Sequence, residues 1–148
     1  MIVPGIGKIV EGINSVNSAI DSDRAEKVIF LESDKTTSHR LELLIEKAKN
    51  KGLIVEKISK KDSWTYNNRH SVVALCTPKK TYDEKTFDQL TPSNIVVLDH
   101  IQDTNNFGAI TRTASAFDFN IVCIPKKRSV NISERTFAIS SGGLENIN

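Results

Sequence analysis

Two cysteines, four prolines and one tryptophan in 148 residues leave several protein classes without support. Cys76 sits in VVALC and Cys123 in IVCIP, and neither has a CxxC partner. That argues against a disulfide framework or a cysteine zinc site, and favours buried free thiols in a reducing cytoplasm. No apolar run reaches the ~18 residues that span a bilayer, so no membrane segment is expected. The opening MIVPGIGKIVEGI lacks the basic and long apolar regions of a secretory signal. Neither a GxxxxGK[ST] phosphate loop nor a GxGxxG dinucleotide turn occurs. His39, His70 and His100 stand at no ligand spacing, so no metal is expected.

What is present is the balance of a soluble globular chain, 39% hydrophobic and 26% charged. The length allows one full domain, or a small domain plus part of another. Net charge is +2, with fifteen Lys and Arg against thirteen Asp and Glu in residues 1–90 and five against five thereafter. Bases cluster at Lys47, Lys49 and Lys51, at Lys57, Lys60 and Lys61, at Lys79 and Lys80, and at Lys126, Lys127 and Arg128. A solvated face and an RNA-facing surface both account for such clusters.

Periodicity places the elements. VEGINSVNSAI has helical spacing at Val10, Ile13, Val16 and Ile20, and KVIFLES reads as a buried strand. TSHRLELLIEKAKNKG predicts a helix with Ser38 as N-cap, a stripe of Leu41, Leu44, Ile45 and Ala48, and Gly52 just past its end. LIVEKIS and SVVALC predict two more strands, and KKDSWTYNN a short turn pinning Trp64. The result is a compact α/β unit over residues 1–78. Residues 79–93 read as a linker with a short helix near DEKTFDQL. Residues 94–148 then form a second β-α-β unit: NIVVLD as a parallel strand covered on both faces, a helix from about Asn105 to Phe117, and NIVCIP. A further helix through SERTFAI and a Gly-Gly turn complete the chain.

The segment NNFGAITRT lies where that second unit passes from strand to helix. On a helical wheel Ile110, Ala114 and Phe117 share the face expected against the sheet. Arg112 lies roughly opposite, on a face that Gly108 would leave bare, at the strand edge where open α/β sheets bind ligands. First-turn N–H groups and a planar guanidinium suit a phosphate. An Asx-capped helix carrying a solvent-exposed Arg accounts for the same spacing.

IVVLDHIQDTNNFGAITRTASAFDFNIVCIPKKRS closely resembles the first signature of the SpoU (TrmH-type) RNA 2′-O-ribose methyltransferases. Asp103, Asn106, Gly108, Ala109, Arg112, Thr113 and Ala114 stand in the family's register. IPKKRS and SSGGLE match later stretches through Pro125, Arg128, Ser129, Ser141, Gly142 and Glu145. VEGINSVNSAI resembles the Gly-x-x-x-Val opening, and RHSVVALC the closing strand, of the small substrate-binding domain of such enzymes, a fold shared with kink-turn-binding ribosomal proteins. Thr104 replaces a usual Pro, His70 is not followed by Gln-Gly, and Asn148 stands where Pro is common.

The resemblance implies an S-adenosylmethionine-dependent transfer of methyl to a ribose 2′-hydroxyl. Arg112 would position the adjacent phosphate and stabilise developing negative charge, and Asn106 would hold Arg112 or the ribose. Lys57, Lys60, Lys61 and Arg128 would contact RNA, with a guanosine of large-subunit (23S) rRNA expected before tRNA. A full-length protein would be a cytoplasmic homodimer. In this family the methyl donor sits in a C-terminal trefoil knot built by two later signatures, a Gly-x-Glu-Gly loop and a Ser-Leu-Asn-rich loop. Neither occurs among the 58 residues after position 90. The methyltransferase part is therefore expected to be incomplete, its sheet edges unpaired and its apolar faces partly bare. No cofactor-binding residue and no activity of the chain by itself are expected. A non-catalytic RNA-binding remnant is the alternative, and a free-standing interaction domain a third.

Overall fold

The computed structural model describes residues 5–32, 38–59, 61–91 and 94–148. Its first part alternates β1 (Ile9–Glu11), α1 (Ile13–Asp21), β2 (Ala25–Leu31), α2 (His39–Asn50), β3 (Ile54–Ile58) and β4 (Val72–Cys76). These strands form one sheet in the order β1-β4-β2-β3. β2 and β3 are parallel, with Val28 opposite Val55, while β4 runs antiparallel to both β1 and β2. The second part holds β5 (Ile95–Val97), α3 (Thr104–Ala116), β6 (Ile121–Cys123), α4 (Glu134–Ile139) and α5 (Gly143–Asn146). β5 and β6 pair in parallel, Val96 opposite Val122. One-turn 3-10 helices occupy Lys61–Ser63 and Phe87–Gln89, and the former leaves Trp64 buried.

Local sequence explains most of these boundaries. The Ser38 hydroxyl accepts the N–H of Leu41, capping α2, and Lys47 and Lys49 in its last turn complement the helix dipole. Leu41, Leu44 and Ala48 are buried as the stripe requires, with Ile45 half-buried. β1 departs from expectation. Helical spacing reaches back to Val10, but Gly12 at φ +89° breaks the chain there, and Ile9–Glu11 pair with Val73–Leu75 instead. α5 was likewise read only as a turn.

β5 was expected to be covered on both faces, yet Ile95 is 40% and Val97 75% exposed. Only β6 is recorded as its partner, and no layer lies over that face among the described residues. The far edge of β6 is engaged: Val122 donates to the Asn148 carbonyl at 3.0 Å, and Asn148 donates to Asn120 at 2.9 Å.

One hydrophobic core runs through both parts, and a smaller one of Ile29, Trp64 and Val73 lies apart from it. Val10, Val16, Ile20, Val28, Leu41 and Leu44 meet Phe107, Phe137 and Leu144 in one buried cluster. Phe137 is fully buried, which contributes about 1.5–3 kcal/mol. The Ser15 hydroxyl donates to its carbonyl at 3.0 Å. Beside this contact Arg24 grips Glu145 with two hydrogen bonds, Nε to Oε2 and Nη2 to Oε1, each 2.7 Å. Arg24 also donates to the carbonyls of Gly7 and Thr77, and its guanidinium lies 5.6 Å from the Phe137 ring centroid. Lys79 donates to the Glu145 carbonyl at 2.9 Å. Burial alone would lower the Arg24 pKa; the hydrogen bonds and charge of Glu145 outweigh it and raise the pKa.

Candidate functional site

α3 starts at Thr104 because Asp103 caps it, its carboxylate accepting the N–H of Asn106 at 2.8 Å. Asn105, Asn106 and Arg112 are exposed along the helix. The Asn105 amide oxygen accepts from Arg135 of α4 at 3.4 Å. Arg112 makes no hydrogen bond or ion pair with another described residue, so its guanidinium is available to a ligand. No hydrogen bond joins Asn106 to Arg112. Six residues on a helix are separated by about 9 Å along the axis and roughly 120° around it. Of the two roles the resemblance gives Asn106, contact with a ribose suits this placement and support of Arg112 does not.

The wheel misjudged which side of α3 is buried. The buried residues are Phe107, Gly108, Thr111 and Ala114, whereas Phe117 is 71% exposed and Ile110 half-buried. The buried face is turned by roughly 80° from the expected one at 100° per residue. The cause is α4 and α5, which pack on the side the wheel assigned to ligand. Gly108 does not keep a face bare for Arg112: a Cβ there would meet the Ile139 side chain at 2.6 Å. Gly143 approaches from α5, where a Cβ would lie 2.8 Å from the Arg112 Cα and 3.0 Å from the Thr111 carbonyl. Because those are backbone atoms, Gly143→Ala must push α5 off α3. We expect a loss of about 1–3 kcal/mol in urea unfolding. A loss under about 0.5 kcal/mol would mean the two helices separate freely.

Among the described residues, the bases assigned to RNA stand on separate elements. Lys57 lies on β3, the sheet edge remote from β1 and α4, three strand spacings or roughly 14 Å across. Its ammonium lies 3.0 Å from Glu32, whose carboxylate also accepts from Ser59 at 2.9 Å. Those hydrogen bonds from Lys57 and Ser59 hold the Glu32 carboxyl below its ordinary range. Lys61 is exposed in its one-turn helix, and Lys60 lies outside the described residues. Arg128 is exposed beyond β6 at φ +57°.

A second cluster escaped the sequence. A cleft of about 250 Å³ opens between the start of α1, the start of α2 and the approach to β4. Arg40, Arg69 and His70 line it together with Asn14 and Ser71, and Ser141 closes its far wall. Arg40 and Arg69 are twenty-nine positions apart, so no local spacing could have joined them.

The cavities bear on a methyl donor. S-adenosylmethionine carries a sulfonium, an ammonium and a ribose diol, which call for acceptors. The cleft presents guanidinium groups, and its one acid, Glu11, is 8% exposed and turned to the Asn67 N–H at 3.2 Å. The other depression, about 390 Å³, is an open apolar groove lined by Val96, Ala109, Ile110, Thr113, Ala114, Phe117 and Phe119. Neither presents a free carboxylate to the donor's cationic centres. No group of three His, Cys, Asp or Glu residues suited to a metal occurs among the described residues.

Residues 9–83 match the family described as RNA 2′-O ribose methyltransferase substrate binding, and residues 93–148 match the SpoU rRNA Methylase family. The chain belongs to the SpoU family of RNA 2′-O-ribose methyltransferases. The 23S rRNA (guanosine-2′-O-)-methyltransferase RlmB of Coxiella burnetii is 30% identical over 145 residues, covering 93% of this SpoU chain and 58% of the relative. Among solved structures, the SpoU methyltransferase AviRb of Streptomyces viridochromogenes superposes with TM-score 0.69 at 15% identity, over 94% of this chain and 51% of that one. An rRNA methyltransferase from Sinorhizobium meliloti gives 0.64 at 21% identity, with 94% and 52% coverage. The SpoU fold and family are thus shared, and the chain spans little more than half the length of these relatives.

Proposed function

We propose that this SpoU chain is the RNA-selecting, Arg112-bearing portion of an S-adenosylmethionine-dependent RNA 2′-O-methyltransferase that acts on a guanosine of 23S rRNA in the cytoplasm. One observation carries the reading. The family's Asn, Gly and Arg stand on a capped helix following a parallel strand, with the Arg112 side chain exposed and unpaired among the described residues beside the Gly142–Gly143 turn. The donor, where bound, supplies the methyl group. Arg112 would hold the phosphate next to the target ribose and favour negative charge on its 2′-oxygen. A guanidinium offers hydrogen-bond donors and no acceptor, so Arg112 acts through charge and not as a base. Asn106 would contact the ribose. Residues 1–78 would select the RNA, 79–93 would connect, and 94–148 would carry the catalytic arginine. Lys57, Lys60, Lys61 and Arg128 would add outer phosphate contacts, and the full-length protein would act as a homodimer.

Deleting the gene should remove one 2′-O-methylguanosine from 23S rRNA, detected as a lost reverse-transcription stop at low nucleotide concentration. An unchanged stop pattern in both 23S rRNA and tRNA would sink the proposal.

A non-catalytic RNA binder is the second reading, favoured by the lack of a free carboxylate for the donor's cations in the cleft and the groove. The 148-residue chain should give no binding heat with S-adenosylmethionine up to about 1 mM. A micromolar Kd, about −8 kcal/mol, would refute that expectation and locate a donor site within these residues.

A further inference from the structure

We propose that the cleft lined by Arg40, Arg69 and His70 is a phosphodiester subsite that takes the RNA backbone beside the target nucleotide. The inference rests on the RNA reading above and deepens it, since nothing in the family's Asn-Gly-Arg signature marks these residues.

Charge pairing sets them apart from five of the lysines. Lys27, Lys47, Lys51, Lys57 and Lys126 each lie against an acid: Glu56, Asp21, Asp23, Glu32 and Glu84. Such pairs neutralise a surface and leave little net field for a polyanion. Arg40 and Arg69 form no ion pair with a described residue, though both are exposed and line one concavity. They come from separate elements, Arg40 from the first turn of α2 and Arg69 from the loop entering β4. They therefore converge on the cleft and do not simply form the solvated face of one helix.

Much of the remaining polar lining matches the same ligand chemistry, and the one acid, Glu11, is 8% exposed and turned to the Asn67 N–H. Arg40 donates to the Asn14 side chain, which orients its guanidinium across the mouth. Asn14 and Ser71 add neutral polar groups, and His70 packs where the missing side chain of Gly12 leaves room. No side chain caps the start of α1, so its first N–H groups add donors on the same wall. Two guanidiniums with a shared polar floor suit the paired oxygens of a phosphodiester.

Position links the cleft to α3. Ser141 lines the cleft, and the next two residues form the turn that seats Gly143 on the backbone of Arg112. An RNA strand held by Arg40 and Arg69 would pass this turn before reaching Arg112. The two sites would then hold neighbouring stretches of one strand.

The test is fluorescence anisotropy of the 148-residue chain with a fluorescein-labelled, mixed-sequence 20-nucleotide single-stranded RNA across a potassium chloride series. The Arg40→Gln/Arg69→Gln variant should raise Kd at least tenfold. It should flatten the log–log salt dependence by about 0.7–1.4, one or two phosphate contacts on a single strand. Ser71→Glu keeps both arginines but sets a carboxylate in the cleft, and should weaken binding comparably. Lys27→Gln/Lys126→Gln, at bases paired with Glu56 and Glu84, should change Kd less than threefold. Thermal melts check that each variant is folded, and Ser71→Glu decides the matter if the double variant is not. Folded cleft variants within twofold of wild type would overturn the subsite while leaving RNA binding to the lysines. A wild-type chain that binds no RNA would overturn both the subsite and the RNA reading.

Discussion

Glu145→Ala should cost about 3–5 kcal/mol, enough to leave a chain of ordinary stability (~5–15 kcal/mol) marginal or unfolded at room temperature. The Glu145 side chain is fully buried and that of Arg24 is 11% exposed, so neither charge can turn to water when its partner is lost. Two Arg24 hydrogen bonds and the weaker Ser22 contact at 3.3 Å would vanish together. The guanidinium would remain buried against Phe137 and the Gly7 and Thr77 carbonyls. Replacing both partners, Arg24→Met/Glu145→Leu, removes the stranded charge and should recover most of the loss. Urea unfolding of the two singles and the double variant measures this coupling. A Glu145→Ala loss below about 1 kcal/mol would mean water reaches the pair and that apolar contacts alone hold the two parts together.

That pair also marks how far the sequence could be read. Ser38 and the Leu41, Leu44, Ala48 stripe announce α2 because a cap and a 3.6-residue period act within a few positions. The β-branched run of β2 and the apolar VVALC of β4 are equally local. Arg24 and Glu145 lie 121 positions apart, and no periodicity reports a partner at that distance. Glu145 was legible as part of a family stretch, yet its burial under Arg24 was not. β1 was hidden for a different reason. Three residues are too few to show alternation, and Val10 extends the helical spacing of α1 by coincidence.

The site was half legible in the same sense. The Asn, Gly and Arg of α3 were visible as a pattern, and Asp103 as a cap. Which face of α3 is buried depends on what packs there. A wheel finds the apolar side, Ile110, Ala114 and Phe117, on the assumption that the sheet is the main neighbour. α4 and α5 instead need a smooth, close contact, which Gly108 and Gly143 provide, and Phe117 is left in the open apolar groove. Arg40, Arg69 and His70 came from ordinary charged stretches. Only the folded chain brings them to one cleft and shows that Arg40 and Arg69 form no ion pair among the described residues, unlike five of the lysines.

Arg112→Ala should abolish methyl transfer while leaving the fold intact. The experiment requires this chain joined to the remaining portion of a family methyltransferase domain, with single-turnover methylation of 23S rRNA as the assay. Arg112 is exposed and no described residue pairs with it, so its truncation should change stability by less than about 0.5 kcal/mol. The contact it does make is through its backbone, where Gly143 packs on its Cα, and that contact survives in alanine. Removing a charge aimed at the developing 2′-oxyanion typically costs about 10²–10³ in rate. Arg112→Lys should not restore it, because an ammonium lacks the planar fork that holds a phosphate by two bonds. RNA affinity separates this role from the cleft's: the Arg112 variant should bind RNA within a fewfold of wild type and fail at the chemical step. An alanine variant retaining more than about a tenth of the rate would remove Arg112 from the reaction. An early melting transition would instead make it part of the α3–α5 contact.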